Sequence, residues 1–320
     1  MSQPARVAVI VLCASAALAG QAVDTAMMTR RVPLGLDLYM PVPENNPLTV
    51  EKVELGRRLF LDRRLSRDRS RSCASCHDPR RAFSSKDPKA IGVFSRKGRR
   101  NAPALINRGY GRAFFWDGRI ATLELQVLKP IEDVNEMNLP VDQAAARVGL
   151  DVETISQALA SYVRTILSGN APYDRFISGN RTALSRQQQE GLQLFRGRAN
   201  CASCHVGPTF TDERFHNTGV AWRDGQLQDE GRAMVTNDVR DRGAFKTPTL
   251  RDVTRTAPYM HDGSFRRLED VVRFYSEGGR RNPDLDPEIR PLHLTKNEQR
   301  ALVAFLRSLS GEVQSGIQLP

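Results

Sequence analysis

Residues 73–77 read Cys-Ala-Ser-Cys-His, and residues 201–205 repeat the same five letters. Cys-x-x-Cys-His is the attachment site of a c-type haem: the two thiols add to the porphyrin vinyl groups and the adjacent histidine lies beneath the iron. Two other chemistries use similar clusters. A structural zinc site needs a closed set of four ligands. A redox dithiol needs a βαβ setting, and no such pattern flanks either motif. The sequence therefore predicts two covalent haem c groups. Cys73, Cys76, Cys201 and Cys204 attach them, and His77 and His205 are the proximal iron ligands.

Working outward, the duplication extends well beyond the motif. G-x-x-L-F precedes each copy, at Gly56 to Phe60 and at Gly191 to Phe195. Downstream, a constant offset of 145 residues relates Gly98 to Gly243, Pro103 to Pro248, Leu105 to Leu250, Asp117-Gly118 to Asp262-Gly263 and Leu123-Glu124 to Leu268-Glu269. A fixed offset of this kind marks two related units. Apolar residues recur at helical spacing over Val50 to Leu61, and Ile155, Leu159, Tyr162 and Ile166 share one face of a helix starting at Asp151. Ser185 with Gln188 and Thr295 with Glu298 read as capping boxes, and Gly311 sits where the last helix should stop. No stretch alternates with period two. The expected fold is all-α, with long irregular loops and two cytochrome c-like domains: residues 21–175 and 176–320, joined near Ser168 to Thr182.

The chain has 320 residues, of which 40% are hydrophobic and 26% charged, with a formal net charge of +11. That composition excludes fibrous, disordered and multi-spanning membrane chains. The basic residues are scattered, with no long tract, which argues against nucleic-acid binding. Residues 1–20 read as a secretory signal: Arg6, an apolar run from Val7 to Ala19, and the small-residue site Ala17-Leu18-Ala19. Cys13 lies inside the run and is expected to leave with it. The mature protein is expected in the periplasm.

The group on the far side of each iron separates an electron carrier from a catalyst, because an open position admits a small molecule. The remaining histidines are His216, His261 and His293. His261 takes the place of Trp116 in the repeat and reads as structural, as does His216, whereas His293 reads as surface. Trp222 has no assigned role.

From about Leu48 to Leu309 the chain resembles the bacterial di-haem cytochrome c peroxidase family, which includes the MauG-like enzymes. The segments that carry the resemblance are LGRRLFLDRRLS, SCASCHDPRRAFS, GRRNAPALIN, FFWDGRIATLELQ, PIEDVNEMNLP, CASCHVGPTFTD, RFHNTG, DRGAFKTPTLRDVTRTAPYMHDGS and LEDVVRFY. The resemblance implies a peroxide-reacting N-terminal haem and a six-coordinate C-terminal one. It implies that Trp116 relays electrons between them, that Gln126 and Glu136 are the polar groups on the peroxide side, and that Pro130 lines the same pocket. It also implies a calcium ion held at Asn101, Thr256 and Pro258 by oxygen donors.

Two departures from the commoner pattern matter. Residues 91–97, IGVFSRK, contain no histidine, so the first haem is expected to be open at rest. Where many relatives supply a methionine to the second iron, this chain has Tyr275, a MauG-like feature, with Met260 as the alternative ligand. The repeat bears on this independently, because the residue that matches Tyr275 at the 145 offset is Pro130, which cannot ligate.

The leading expectation is an exported peroxidase that reduces hydrogen peroxide with electrons from a small donor protein, a cytochrome c or a cupredoxin. The runner-up is a MauG-like oxidase acting on a partner protein. A di-haem electron carrier and a haem-based sensor are the non-enzymatic alternatives. Members of this family often form homodimers.

Overall fold

The computed structural model describes residues 32–317. The expected signal, including Cys13, lies outside them. No helix among the described residues is long and apolar enough to cross a membrane.

Each half is organised by one pair of packed helices. In the first half, α1 (Val50–Leu61) lies on α6 (Val152–Arg164). Thr49 caps α1, its hydroxyl accepting from the Lys52 amide at 3.3 Å, and Asp151 caps α6 through the Thr154 amide at 2.7 Å. In the second half, α8 (Arg186–Arg196) lies on α11 (Lys296–Arg307). Both expected capping boxes close reciprocally, Ser185 with Gln188 and Thr295 with Glu298. Each box satisfies two of the amide donors that a helix start leaves unpaired.

The G-x-x-L-F repeat is the contact between these helices. A Cβ on Gly56 would lie 2.0 Å from the Ala158 carbonyl, and one on Gly191 would lie 2.0 Å from that of Ala301. The glycines let the helices approach backbone to backbone. The phenylalanine that ends each motif then reaches an aromatic on the partner helix, Phe60 with Tyr162 at 5.2 Å and Phe195 with Phe305 at 5.0 Å between ring centroids. Each such ring, fully buried, contributes roughly 1.5–3 kcal/mol. Two separate apolar cores result. One is built on Val53, Leu59, Phe60, Ile155 and Leu159, the other on Leu192, Phe195, Leu302, Phe305 and Leu306.

Shorter helices fill the loops: α2 (Cys73–Cys76), α3 (Leu123–Gln126), α4 (Lys129–Glu132), α5 (Val141–Val148), α7 (Pro172–Ile177), α9 (Ala233–Thr236) and α10 (Leu268–Ser276). The chain is mostly helical, but it is not free of strands. Leu167–Gly169 pairs antiparallel with Glu312–Gln314, Phe215–His216 with Phe245–Lys246, and Trp222–Arg223 with Gln226–Leu227. Runs of two or three residues are too short for alternation to register in a sequence. Gly311 is not the stop of α11, which ends at Arg307. It packs instead against the Gly169 carbonyl beside the first strand pair.

Contacts between the halves are reciprocal. The Asn101 amide donates to the His261 carbonyl at 2.7 Å, and the Lys246 amide donates to the Trp116 carbonyl at 2.8 Å. At the same 145 offset, Asn101 matches Lys246 and Trp116 matches His261. Gly118 abuts Phe215 and its match Gly263 abuts Pro88. This is the pattern of an isologous interface, with a pseudo-two-fold axis relating the halves. The stretch from Ser168 to Thr182 contains α7, whose Asp174 forms a fully buried ion pair with Arg251 of the second half, Nη1 to Oδ2 at 2.8 Å.

Candidate active site

The two CASCH motifs open onto one cavity of about 770 Å³ between the cores. Ser72 starts the helical turn of α2, with the Ser75 amide at 3.0 Å from the Ser72 carbonyl, and that turn sets Cys73 and Cys76 one turn apart on one side. Each histidine follows with its Nδ1 on a backbone carbonyl: His77 on Phe83 at 3.1 Å, and His205 on Phe210 at 2.9 Å. As donor to that carbonyl, Nδ1 fixes the tautomer and leaves the Nε2 lone pair free, the usual second contact of a metal-binding histidine. Burial lowers the pKa of both imidazoles, that of His77 to about 4, so both rings are neutral.

The competing chemistries fit less well. No disulfide joins the cysteines, and burial pushes the thiols of Cys73 and Cys201 up to about 12, which suits an inert thiol rather than a redox dithiol. Among the described residues the only three-residue cluster of metal-binding side chains is Cys204, Asp212 and His216, and no closed four-ligand zinc set forms at either motif. A wide, largely apolar cavity with Cys76 and His77 on one side and Cys201, Cys204 and His205 on the other, each histidine tautomer-fixed, fits two haems, and Cys73 lines a small adjoining cavity with Cys76 and His77.

On the first side, Gln126, Pro130 and Glu136 line the cavity together with Cys76 and His77. Gln126 ends α3, and Pro130 lies in α4. In the second half the matching segment is one unbroken helix, α10, which carries Tyr275 into the same cavity. Proline has no amide hydrogen to continue a helix, and the first-half segment is broken between α3 and α4. The loop that follows brings Glu136 to the wall. Gly92 pins it there: the Val93 amide donates to the Glu136 carbonyl at 2.7 Å, and a Cβ on Gly92 would come within 2.1 Å of the Asn135 carbonyl. Burial and the neighbouring Asp133 raise the Glu136 pKa to about 7, with Arg119 opposing them.

Residues 93–97 do not reach the cavity wall, and Phe94 points outward, 57% exposed. Trp116 lies between the two sides, its indole N–H donating to the Asn101 carbonyl at 2.9 Å and its ring edge-on to His261 at 6.4 Å. His261 is buried and stacks on Phe245 at 3.6 Å. His216 lies between Asp286 and Asp212, at 2.6 and 2.9 Å. His293 is exposed, and Trp222 belongs to a two-residue strand pair. On the second side the Tyr275 phenol is enclosed, and burial pushes its pKa up to about 12 against a hydrogen bond with Thr218. Asn101, Thr256 and Pro258 all border the cavity. Among the described residues, Asn101 Oδ1 and the carbonyls of Thr256 and Pro258 accept no hydrogen bond, so three oxygens stand free for a hard cation.

Three groups of side chains here escaped the sequence reading. Arg119 opposes the effect of Asp133, its neighbour in the acidic loop, on Glu136. Arg100 ties Asp117 to Asp229 at 2.6 and 2.8 Å. Glu213 joins Arg108 and Lys246 at 2.7 and 3.3 Å. For the first two only the fold supplies the partner; for Lys246 the 145 offset was a usable signal.

A duplicated helical chain with a Cys-x-x-Cys-His on each half and a shared cavity defines a two-centre c-type cytochrome scaffold. Residues 50–182 match the di-haem cytochrome c peroxidase family. The chain is 38% identical to the methylamine utilization protein MauG of Methylorubrum extorquens, over 88% of this chain and 84% of that protein. It is 31% identical to the cytochrome c551 peroxidase of Pseudomonas aeruginosa, over 88% and 87% respectively. Its fold is similar to the crystal structure of a MauG-like protein associated with microbial copper homeostasis, with a TM-score of 0.79, 33% identity and coverage of 87% of this chain and 95% of that one. The chain belongs to the di-haem cytochrome c peroxidase and MauG family, and it is an oxidoreductase of the peroxidase class.

Proposed function

We propose that this protein is a periplasmic di-haem peroxidase that cleaves hydrogen peroxide on the Glu136 side of the cavity. Two haem c groups would be held by the thioethers of Cys73, Cys76, Cys201 and Cys204 and by Nε2 of His77 and His205. When bound, they supply the iron on which the peroxide O–O bond is broken and the store for the two oxidising equivalents that result. Glu136 takes the proton from the oxygen nearer the first haem and returns it to the departing one, which leaves as water. The Gln126 amide orients the peroxide by hydrogen bonding. Pro130 offers no ligand, so that face stays free for substrate. Trp116 would carry oxidising equivalents between the halves, and Tyr275 would be a further protein ligand holding the second haem. Calcium at Asn101, Thr256 and Pro258 ties the halves together.

The observation that carries this reading is the carboxyl group of Glu136 on the wall beside Cys76 and His77, with a pKa raised to about 7, near the ideal for an acid–base group at neutral pH. Stopped-flow mixing of the diferric protein with peroxide tests it. A reaction without prior reduction is expected, and a reaction seen only after one-electron reduction would contradict an open first site.

A second reading has its own support. Tyr275 is a hard anionic donor when ionised and favours oxidised iron, and the chain is more similar to MauG than to the cytochrome c551 peroxidase. It would draw the two electrons from residues of a partner protein rather than from a cytochrome or cupredoxin. Product analysis with candidate donors and partners separates the two.

A further inference from the structure

The pseudo-two-fold axis gives the calcium position a mate. On the calcium reading above, the first site would join Asn101 of one half to the carbonyls of Thr256 and Pro258 of the other, all three of which line the shared cavity. At the 145 offset the corresponding residues are Lys246, Gly111 and Ala113. The backbone relation is matched by the reciprocal bonds of Asn101 to His261 and of Lys246 to Trp116. Side-chain relations match as well. Asn101 reaches the loop after the first CASCH, its Nδ2 donating to the Asp87 carbonyl at 2.9 Å. Lys246 reaches the loop after the second, its Nζ lying 3.3 Å from Glu213 Oε1.

What differs is the charge of the matched side chains, Asn101 against Lys246, although the first position also has a cation nearby, the Arg81 guanidinium donating to the Ala257 carbonyl. At the first site Asn101 Oδ1 and the carbonyls of Thr256 and Pro258 accept no hydrogen bond among the described residues, whereas the Asn101 carbonyl accepts from Trp116. At the mate, the Arg108 guanidinium donates to the Ala113 carbonyl at 3.0 Å and lies against Gly111, where a Cβ would come within 2.1 Å of Nη2. Lys246 is only 8% exposed, and its ammonium shares the Glu213 carboxylate with Arg108. Burying two cations there is tolerable only because Glu213 and the carbonyl accept from them.

We propose that Lys246, with Arg108, is a resident cation standing at the mate of the calcium position. The two halves are thereby bridged by one exchangeable cation and one built-in cation. This rests on the calcium reading above. Trp116 sits between the two bridges, its indole held by the Asn101 carbonyl and its own carbonyl by the Lys246 amide.

The test uses the haem-loaded full chain, stripped with chelator and titrated with calcium chloride. Bound calcium is counted by atomic emission, and melting is followed by haem absorbance. The wild type should bind one calcium and melt lower when stripped. Asn101→Ala should bind none and melt like the stripped wild type. Asn101→Lys should also bind none, yet melt like the calcium-loaded wild type with or without chelator. The converse double variant, Arg108→Val with Lys246→Asn, frees Glu213 and the Ala113 carbonyl and should bind two calcium ions. It serves as the deciding measurement if Asn101→Lys does not fold. A wild type that binds no calcium overturns the calcium reading and this proposal together. A wild type that binds calcium overturns this proposal alone if Asn101→Lys melts like Asn101→Ala, or if the double variant still binds one.

Discussion

Glu136 illustrates how a side chain acquires a role from its surroundings. Its carboxyl is protonated below about pH 7 and ionised above it, because burial and Asp133 disfavour the anion. Only the anion can accept a proton from peroxide. The rate of peroxide cleavage should therefore rise with pH through about 7 and level off above it, as measured by stopped flow across a pH series. Glu136→Gln should slow cleavage by roughly 10²–10⁴-fold, the usual worth of a positioned acid–base group, and should abolish that pH dependence while leaving haem content unchanged. On the proposed ligation of the second haem by Tyr275, Tyr275→Met would replace a hard phenolic donor by a soft neutral one, and the potential of the second haem should rise. Spectroelectrochemistry reads this directly, and an unchanged potential would direct attention to Met260. Family resemblance singled out Glu136 and Tyr275. Residue type alone did not, because Arg119 and Thr218 come beside them only in the folded chain.

Among the elements, the helix pairs were the most legible. The start of α6 at Asp151 and both capping boxes follow from side chains a few residues apart, so local sequence contains the whole interaction. Gly56 and Gly191 were legible only as repeated letters. Their reason is the carbonyl of a helix about 100 residues away, 2.0 Å from where a Cβ would be. Gly56→Ala should destabilise the protein by about 1–3 kcal/mol or more, the usual cost of overpacking, despite alanine's better helix propensity. Gly191→Ala should do the same, and because the two contacts lie in separate cores their effects should add. Chemical denaturation of the single and double variants measures this. Pro130 shows the opposite case, in which one residue type explains an element. It stands where α3 and α4 part, whereas the matching α10 runs intact through Tyr275.

At the scale of the whole molecule, long-range polar contacts fasten the halves. Arg251 pairs with Asp174 of α7 with both side chains 1% exposed, and its guanidinium also donates to the Pro208 and Gly35 carbonyls at 2.5 and 2.6 Å. Removing one partner leaves a buried charge, so Asp174→Ala should cost roughly 3–5 kcal/mol. Thermal unfolding should show it as a large loss of stability. Nothing near Asp174 or Arg251 in sequence announces the pair.

The two CASCH motifs, the duplication and the main helices were legible in the chain alone. Each of these is written in residues that are contiguous or at constant spacing: CASCH twice, the 145 offset, and apolar faces at helical period. Tertiary structure alone decided which residues share the cavity. Gln126, Glu136, Trp116 and Tyr275 meet there because two backbone-close helix pairs set the halves face to face. The raised pKa of Glu136 and the bridging partners of Lys246 likewise come from the fold. Burial and electrostatic fields depend on every neighbour in space, and a linear chain does not list those neighbours.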